Sequence, residues 1–257
     1  MYEKNKGRRS IKRGKMNAFL KHTNVQDDVG GINRLKFVTD FIKKINNASI
    51  LDVGCGTGSI TIPTGLVAKK IRGIDVDKAS IEIAKKRNKL PNVSFEVKDI
   101  KEEKEKYDVV LNIQVLEHLQ NPESMLKEIS RVTKKWAIIT VPNGYGSSEI
   151  IGRLITRTRK TTKLKSKTKT NEGMFTANYD NPHIQKFRIK QLKKLANKAG
   201  LKIRKIKNHC FILGTFPINQ LFFHTPLRRL LEKVDQKIAN VLPHRMVNGW
   251  YVIMEKK

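Results

Sequence analysis

Ile32, Leu35, Val38, Phe41, Ile42 and Ile45 recur at helical spacing, which predicts an amphipathic helix over residues 32–45. Two asparagines follow, and then Ser49–Val53 makes a short apolar run closed by glycines, the pattern of a buried strand. Short β-rich runs then alternate with helical segments. The order is a helix from about Ser59, strand Ile71–Asp75, helix Lys78–Lys89, strand Val93–Val97, strand Tyr107–Asn112, helix Pro122–Val132 and strand Trp136–Val141. This alternation predicts an α/β fold: a mostly parallel sheet with helices on both faces. Past Pro142 the pattern loosens into an insert over residues 144–180, longer than an ordinary connection. Helix Lys190–Ala199 ends at Gly200, a residue suited to a left-handed C-terminal cap. Strand Leu201–Lys207 follows and extends toward Leu213. Residues 216–242 form an amphipathic helical insert, and Gly249–Met254 is the last strand. No internal repeat occurs.

The 257 residues are 39% hydrophobic, enough for one domain spanning residues 32–257 and too apolar for a disordered chain. Charge changes the picture. Lysine and arginine number 53 against 23 acidic residues, a net charge of +30. Residues 46–142 carry only +3, whereas residues 1–45 carry +8 and residues 143–257 carry +19. The excess sits at the two ends, so an anionic partner is expected to meet the ends: a membrane surface, or nucleic acid, which charge alone allows without favouring. Residues 1–31 read as a basic flexible arm, and the dense run Arg157–Lys169 as a solvated loop. Two apolar clusters beside arginines, Ile150–Ile155 and Leu221–Leu231, suggest basic amphipathic helices suited to an anionic bilayer, or equally to a lid or dimer contact. Cys55 and Cys210 lack paired spacing, which excludes a disulfide scaffold and a thiolate metal site. No apolar run reaches the roughly 20 residues that span a bilayer, and the amino terminus lacks a signal-peptide core. A cytoplasmic protein, able to sit peripherally at a membrane, is the expectation.

Chemistry concentrates in Leu51-Asp52-Val53-Gly54-Cys55-Gly56-Thr57-Gly58. Glycines there let backbone approach a ligand, and the following helix presents its amino terminus. A dinucleotide fold would place a third glycine or alanine where this chain has Ser59. Asp75 ends the next strand, where an acid can take both hydroxyls of a ribose. The bland alternative is that Asp75 and Asp99 only end strands and cap the helices after them.

Four segments in order, Ile50–Gly58, Gly73–Val76, Val97–Ile100 and Tyr107–Val110, resemble the class I S-adenosylmethionine-dependent methyltransferases. The resemblance spans about residues 32–142 and continues more weakly to the last strand. It implies a Rossmann-like seven-stranded sheet with the last strand antiparallel, and S-adenosyl-L-methionine as cofactor. It also implies that Gly54, Gly56 and Gly58 make room for the methionine and ribose portions while Asp52 orients the amino-acid end. Asp75 would hold the ribose, Val76 would pack on the adenine, Asp99 would face the adenine amino group with Ile100 beside it, and Asn112 would complete the site at the fourth strand. These roles agree with what an adenosine needs: an acid for its hydroxyls, an acceptor for its amine and apolar walls.

Amine-type members carry an (Asp/Asn)-Pro-Pro-(Tyr/Phe) loop after the fourth strand. This chain has Asn112-Ile113-Gln114-Val115-Leu116-Glu117-His118 there. With Val141-Pro142-Asn143 it is similar to the quinone and saccharide O-methyltransferase branch, which implies a hydroxyl on a small, glycan-type or lipid-linked acceptor. Some quinone enzymes carry Glu-x-x-Glu-His here and use a divalent metal. Gln114 replaces the first acid, so no metal is expected. His118 is the first candidate general base, a neutral imidazole being able to accept a hydroxyl proton near pH ~7, and bracing of the loop is its alternative. His183 is the second candidate, with a structural turn as its alternative. Cys55 fills packing space in the glycine loop and Cys210 sits in an apolar strand, so neither is expected as a nucleophile. The rival functions are an RNA methyltransferase gripping phosphates with its basic ends, and a non-catalytic cofactor-binding adaptor.

Overall fold

A computed structural model describes residues 31–147, 150–151, 184–213 and 228–257. The arm over residues 1–30, the run Arg157–Lys169, His183 and the segment 214–227 lie outside the described residues. Among the described residues seven strands are present: β1 Ser49–Val53, β2 Lys70–Asp75, β3 Val93–Val97, β4 Tyr107–Ile113, β5 Thr133–Pro142, β6 Leu201–His209 and β7 Gly249–Lys256. Helices α1 Gly31–Ile42, α2 Thr61–Gly65, α3 Lys78–Arg87, α4 Pro122–Val132, α5 Ile189–Lys198 and α6 Arg228–Val241 accompany them. The strand order is β3-β2-β1-β4-β5-β7-β6, with the last strand antiparallel, as the sequence resemblance implies.

The first of two compact units holds residues 31–113 and 128–138. β1 is central, with β2 and β4 parallel on either side and β3 parallel beyond β2. Strands covered on both faces read as continuous apolar runs, and Ile50, Leu51, Val53, Ile71, Ile74, Val109, Val110 and Leu111 are all buried. α1 adds Leu35, Val38 and Ile42. It begins at Gly31, inside the expected arm, and ends at Ile42 rather than Ile45. There Lys44 and Ile45 N–H turn to carbonyls three residues back, and Asn47 takes φ 59 to redirect the chain into β1. α3 likewise stops at Arg87, because Asn88 is extended and spends its amide on the Leu90 and Val93 carbonyls. Sequence order reverses at β1, whose neighbours are β2 and β4, the point where open α/β sheets bind ligands.

The second unit holds residues 114–127 and 139–255. Its core gathers Phe187, Leu192, Ala196, Leu201, Ala239, Trp250, Tyr251, Val252 and Met254. α5 and α6 both pack on β6. Gly200 takes φ 75 after α5, the left-handed cap its residue type predicts. β6 stops at His209 instead of running toward Leu213, because Cys210 turns to φ 42 and the next three N–H groups, of Phe211, Ile212 and Leu213, all donate to the Asp235 carboxylate. Asn208 ties the end of α6 to β6 through bonds of 2.7 Å to the Ala239 and Leu242 carbonyls. β5 starts earlier than its apolar pattern, at Thr133, because the exposed Lys134 and Lys135 disguise its first turn of pleat.

Candidate functional site

The parallel register brings Asp52, Asp75 and Asn112 to the carboxyl ends of β1, β2 and β4, with Asp99 two residues past β3. The glycine turn between β1 and α2 is fastened to β2. Gly54 and Cys55 N–H donate to the Ile74 carbonyl at 2.9 and 3.1 Å, and Gly56 N–H donates to Asp75 Oδ2 at 2.8 Å. Gly56 (φ 49) and Gly58 (φ 78) lie in the left-handed region, for different purposes. A Cβ on Gly58 would stand 2.8 Å from Phe95 Cζ, whereas one on Gly56 meets nothing within 4 Å. Gly58 permits close packing on β3. Gly56 leaves backbone bare toward open space, where a ligand can approach.

Asp75 is not a helix cap. Its Oδ1 accepts from Asp77 N–H at 3.0 Å, and Asp77 caps α3 by accepting from Ala79 and Ser80 N–H. Asp75 therefore organises the loop edge while keeping a half-buried carboxylate there. Asp52 is buried and accepts from Thr61 Oγ1 at 2.6 Å. Burial pushes its carboxyl up to about 7, the Thr61 hydroxyl opposes that, and the negative Asp75 adds to it. A carboxyl so poised has much to gain from a cation, such as an ammonium, placed beside it.

Val76 is 71% exposed, a large apolar side chain left bare beside Asp75. Asp99 Oδ1 accepts from Lys101 N–H at 2.9 Å and caps the single 3-10 turn Ile100–Glu102, so its capping alternative holds for that oxygen. The Ile100 side chain is buried in the core, leaving its backbone as what it can offer a ligand. Arg131 clamps this turn, donating to the Glu103 carbonyl at 2.6 Å and the Ile100 carbonyl at 2.9 Å. The Glu103 carboxylate beneath it is buried. Burial would push it up, but the Glu105 N–H, Lys98 and Arg72 pull it below its ordinary range. Asn112 is fully buried, its amide donating to the Val53 carbonyl at 3.1 Å. Its Oδ1 has no hydrogen-bond partner, an orphaned acceptor at the end of β4. Bare backbone at Gly56, an acid at Asp75, an exposed apolar wall at Val76 and an unmet acceptor at Asn112 are together what an adenosine carrying an amino-acid chain would need, so the residues present fit the expected cofactor.

In the second unit, the loop leaving β4 starts at Gln114 with φ 57, a strained conformation for a side chain of this size. It is held by Thr140: Gln114 N–H donates to the Thr140 carbonyl and Oγ1, both at 3.1 Å, and Gln114 Nε2 to Oγ1 at 3.3 Å. His118 is half-buried in the 3-10 turn Leu116–His118. Gln185, two residues after His183 in sequence, braces that turn through its N–H to the Glu117 carbonyl at 2.9 Å and its side chain to the Gln120 carbonyl at 3.2 Å. Among the described residues no three His, Cys, Asp or Glu side chains group to hold a metal ion. Burial and the nearby Asp52 and Asp75 push the Cys55 thiol far up, which removes it as a nucleophile. Cys210 is buried just past β6, with Sγ 3.4 Å from His209 Nδ1.

Several of these contributors escape a sequence reading. Thr61 had a weak signal, a hydroxyl in the first turn after the glycines. Arg87, which reaches back from α3 to Thr57 Oγ1 at 3.1 Å, and Arg131, Thr140 and Gln185 had none.

Comparison with known proteins shows the family and the fold. A family profile described as a methyltransferase domain matches residues 31–206. A ubiquinone biosynthesis O-methyltransferase of Pelagibacter ubique is 35% identical over 104 residues, 38% of this chain and 43% of that protein. One of Maricaulis maris is 30% identical over 91 residues, 33% of this chain and 36% of that protein. The chain thus spans less than half the length of these two curated relatives. Magnesium protoporphyrin IX methyltransferase of Synechocystis, crystallised with SAH, superposes with a TM-score of 0.56 at 12% identity, over 89% of this chain and 84% of that one, a likeness of fold.

Proposed function

Because the chain belongs to the class I S-adenosylmethionine-dependent methyltransferase family, we propose that it methylates a hydroxyl on a small acceptor, of quinone, glycan or lipid-linked type. The observation that carries the reading is the edge formed by bare Gly56, Asp75 and exposed Val76, with a buried, unpartnered acceptor, Asn112 Oδ1, near the end of the neighbouring strand β4. In the bound state the cofactor supplies an electrophilic methyl on a sulfonium, whose departure needs no protonation. Asp75 holds the ribose hydroxyls, and Gly56 admits the chain between ribose and amino acid, while Gly58 lets the turn pack on Phe95. Asp52 is driven into its charged form by the ammonium, Val76 lies against the adenine, and Asp99 with the Ile100 backbone meets the ring edge. Arg131 and Arg87 act through others, fixing the Ile100 turn and the Thr57 loop.

The acceptor's proton is the remaining task. His118 is proposed to take it, in the turn that Gln185 braces, and His183 is the second candidate. The ubiquinone O-methyltransferase names of the relatives and the missing Pro-Pro loop favour oxygen over nitrogen as the acceptor atom. The charge of residues 143–257 keeps RNA as the competing acceptor. Transfer of labelled methyl into a cell extract split into lipid, glycan, RNA and protein fractions decides between them. Label in the lipid or small-molecule fraction supports the proposal. Label in RNA overturns the acceptor, and no transfer at all, with S-adenosylmethionine still bound, favours an adaptor.

A further inference from the structure

α6 is amphipathic in the wrong sense for a helix of a protein that meets only water. Against β6 it buries Asp235 and Gln236 beside Ala239, while Leu230, Val234, Ile238 and Val241 stand 57, 46, 42 and 83% exposed. Spacings of four, four and three residues put these four side chains on one stripe. The buried polar groups are engaged: Asp235 accepts the three N–H groups after β6, and Gln236 donates to the Asn208 carbonyl at 2.8 Å. The helix therefore cannot roll to hide its stripe without abandoning those bonds.

The charge beside the stripe is of one sign. Lys233 and Lys237 are exposed along it, and Arg245 with the 40% exposed Met246 follows in the next turn of chain. No carboxylate of α6 is exposed. A second copy of the chain would set lysine against lysine on a molecule of net charge +30, which opposes self-association there. Apolar side chains flanked by cations, with no exposed acid, match the headgroup boundary of an anionic bilayer.

We infer that the outer face of α6 is a docking surface for anionic membrane, with Leu230, Val234, Ile238 and Val241 entering the boundary and Lys233 and Lys237 meeting lipid phosphates. The inference is independent of the methyl-transfer reading, because its test reads lipid binding alone. The full chain is floated with vesicles of phosphatidylcholine, and with vesicles mixing equal amounts of phosphatidylcholine and phosphatidylglycerol. Binding is expected only to the mixed vesicles. Each lysine near such a surface is worth about a factor of five in partitioning, so Lys233→Gln with Lys237→Gln weakens binding roughly 25-fold. Val234→Ser with Ile238→Ser, at positions 46 and 42% exposed and with retention of the fold checked by thermal melting, weakens it at least about tenfold. An environment-sensitive dye on Ile238→Cys shifts to the blue on vesicle addition. Equal binding to neutral vesicles, no binding to either, or full binding by the serine pair with an unshifted dye would each overturn the inference. The last of these outcomes would mean a purely electrostatic surface, of the kind nucleic acid also uses.

Discussion

Alanine at Gly58 and alanine at Gly56 add the same methyl group within one short turn, and the structure assigns them opposite consequences. At Gly58 an L side chain at φ 78 costs about 1–2 kcal/mol in backbone strain. Its Cβ would also stand 2.8 Å from Phe95 Cζ and 3.1 Å from Ile62 Cδ1, and both neighbours are buried and unable to step aside. Overpacking of that kind adds about 1–3 kcal/mol, for a total of about 2–5 kcal/mol. A protein of this size loses about 2–4 °C in Tm per kcal/mol, so Gly58→Ala melts roughly 4–20 °C lower. At Gly56 only the backbone strain applies, because nothing lies within 4 Å of the added Cβ, and the melt falls by about 2–8 °C. Ligand affinity runs the other way. The Gly56 methyl points into the space a ligand approaches, so S-adenosylmethionine binding drops at least about tenfold, or about 1.4 kcal/mol, in a protein that remains folded. Calorimetric melting and titration of the two variants side by side measure both effects. A Gly58→Ala protein as stable as wild type would refute the packing argument, and wild-type affinity in Gly56→Ala would show that the open edge is not where ligand enters.

Asp75→Ala should weaken S-adenosylmethionine binding by about 1.5–3 kcal/mol through lost charged hydrogen bonds, read by titration calorimetry; equal affinity would remove Asp75 from the ribose role. Asp52 supplies a pH dependence. With its carboxyl at about 7 in the free protein, a proton must leave for the ammonium to bind, so affinity falls about tenfold per pH unit below that value. Thr61→Val removes the bond that opposes the shift and moves the midpoint higher; a flat affinity profile would refute the pairing. Stability has the reverse sign. The burial penalty is absent below the ordinary carboxyl value of 3.8, grows from there to about 7 and is level above it, so Asp52→Asn gains its advantage in stability across that window, up to about 4 kcal/mol. His118→Ala should lower kcat by roughly 10²–10⁴ with cofactor affinity unchanged, in steady-state assays run with and without chelator. Near-normal turnover would leave positioning as the main catalytic contribution, and activity lost to chelator and restored by magnesium would show that Gln114 does not preclude a metal.

The sequence determined the fold and its candidate ligand edge, because both follow from short-range signals. Alternating apolar runs set the strands of a parallel sheet, glycines set the turn after Val53, and acids at strand ends set the positions of Asp52 and Asp75. Element ends were less legible where polar residues disguised them, as Lys134 and Lys135 did at the start of β5. What only tertiary structure decided is the environment of each group. The division of labour between Gly56 and Gly58 depends on Phe95, distant in sequence. The raised carboxyl of Asp52 depends on burial and on Asp75, and the capping of α3 fell to Asp77 once Asp75 was engaged by Gly56. Arg131, Thr140 and Gln185 act on residues tens of positions away or across a loop, so no local pattern announces them. The periodicity of residues 228–241 announced an amphipathic helix, but periodicity is blind to which face turns inward. Asp235 fixed that choice by accepting the N–H groups after β6, and Asn208 by donating to carbonyls at the end of α6, and so they left the apolar stripe of α6 outside.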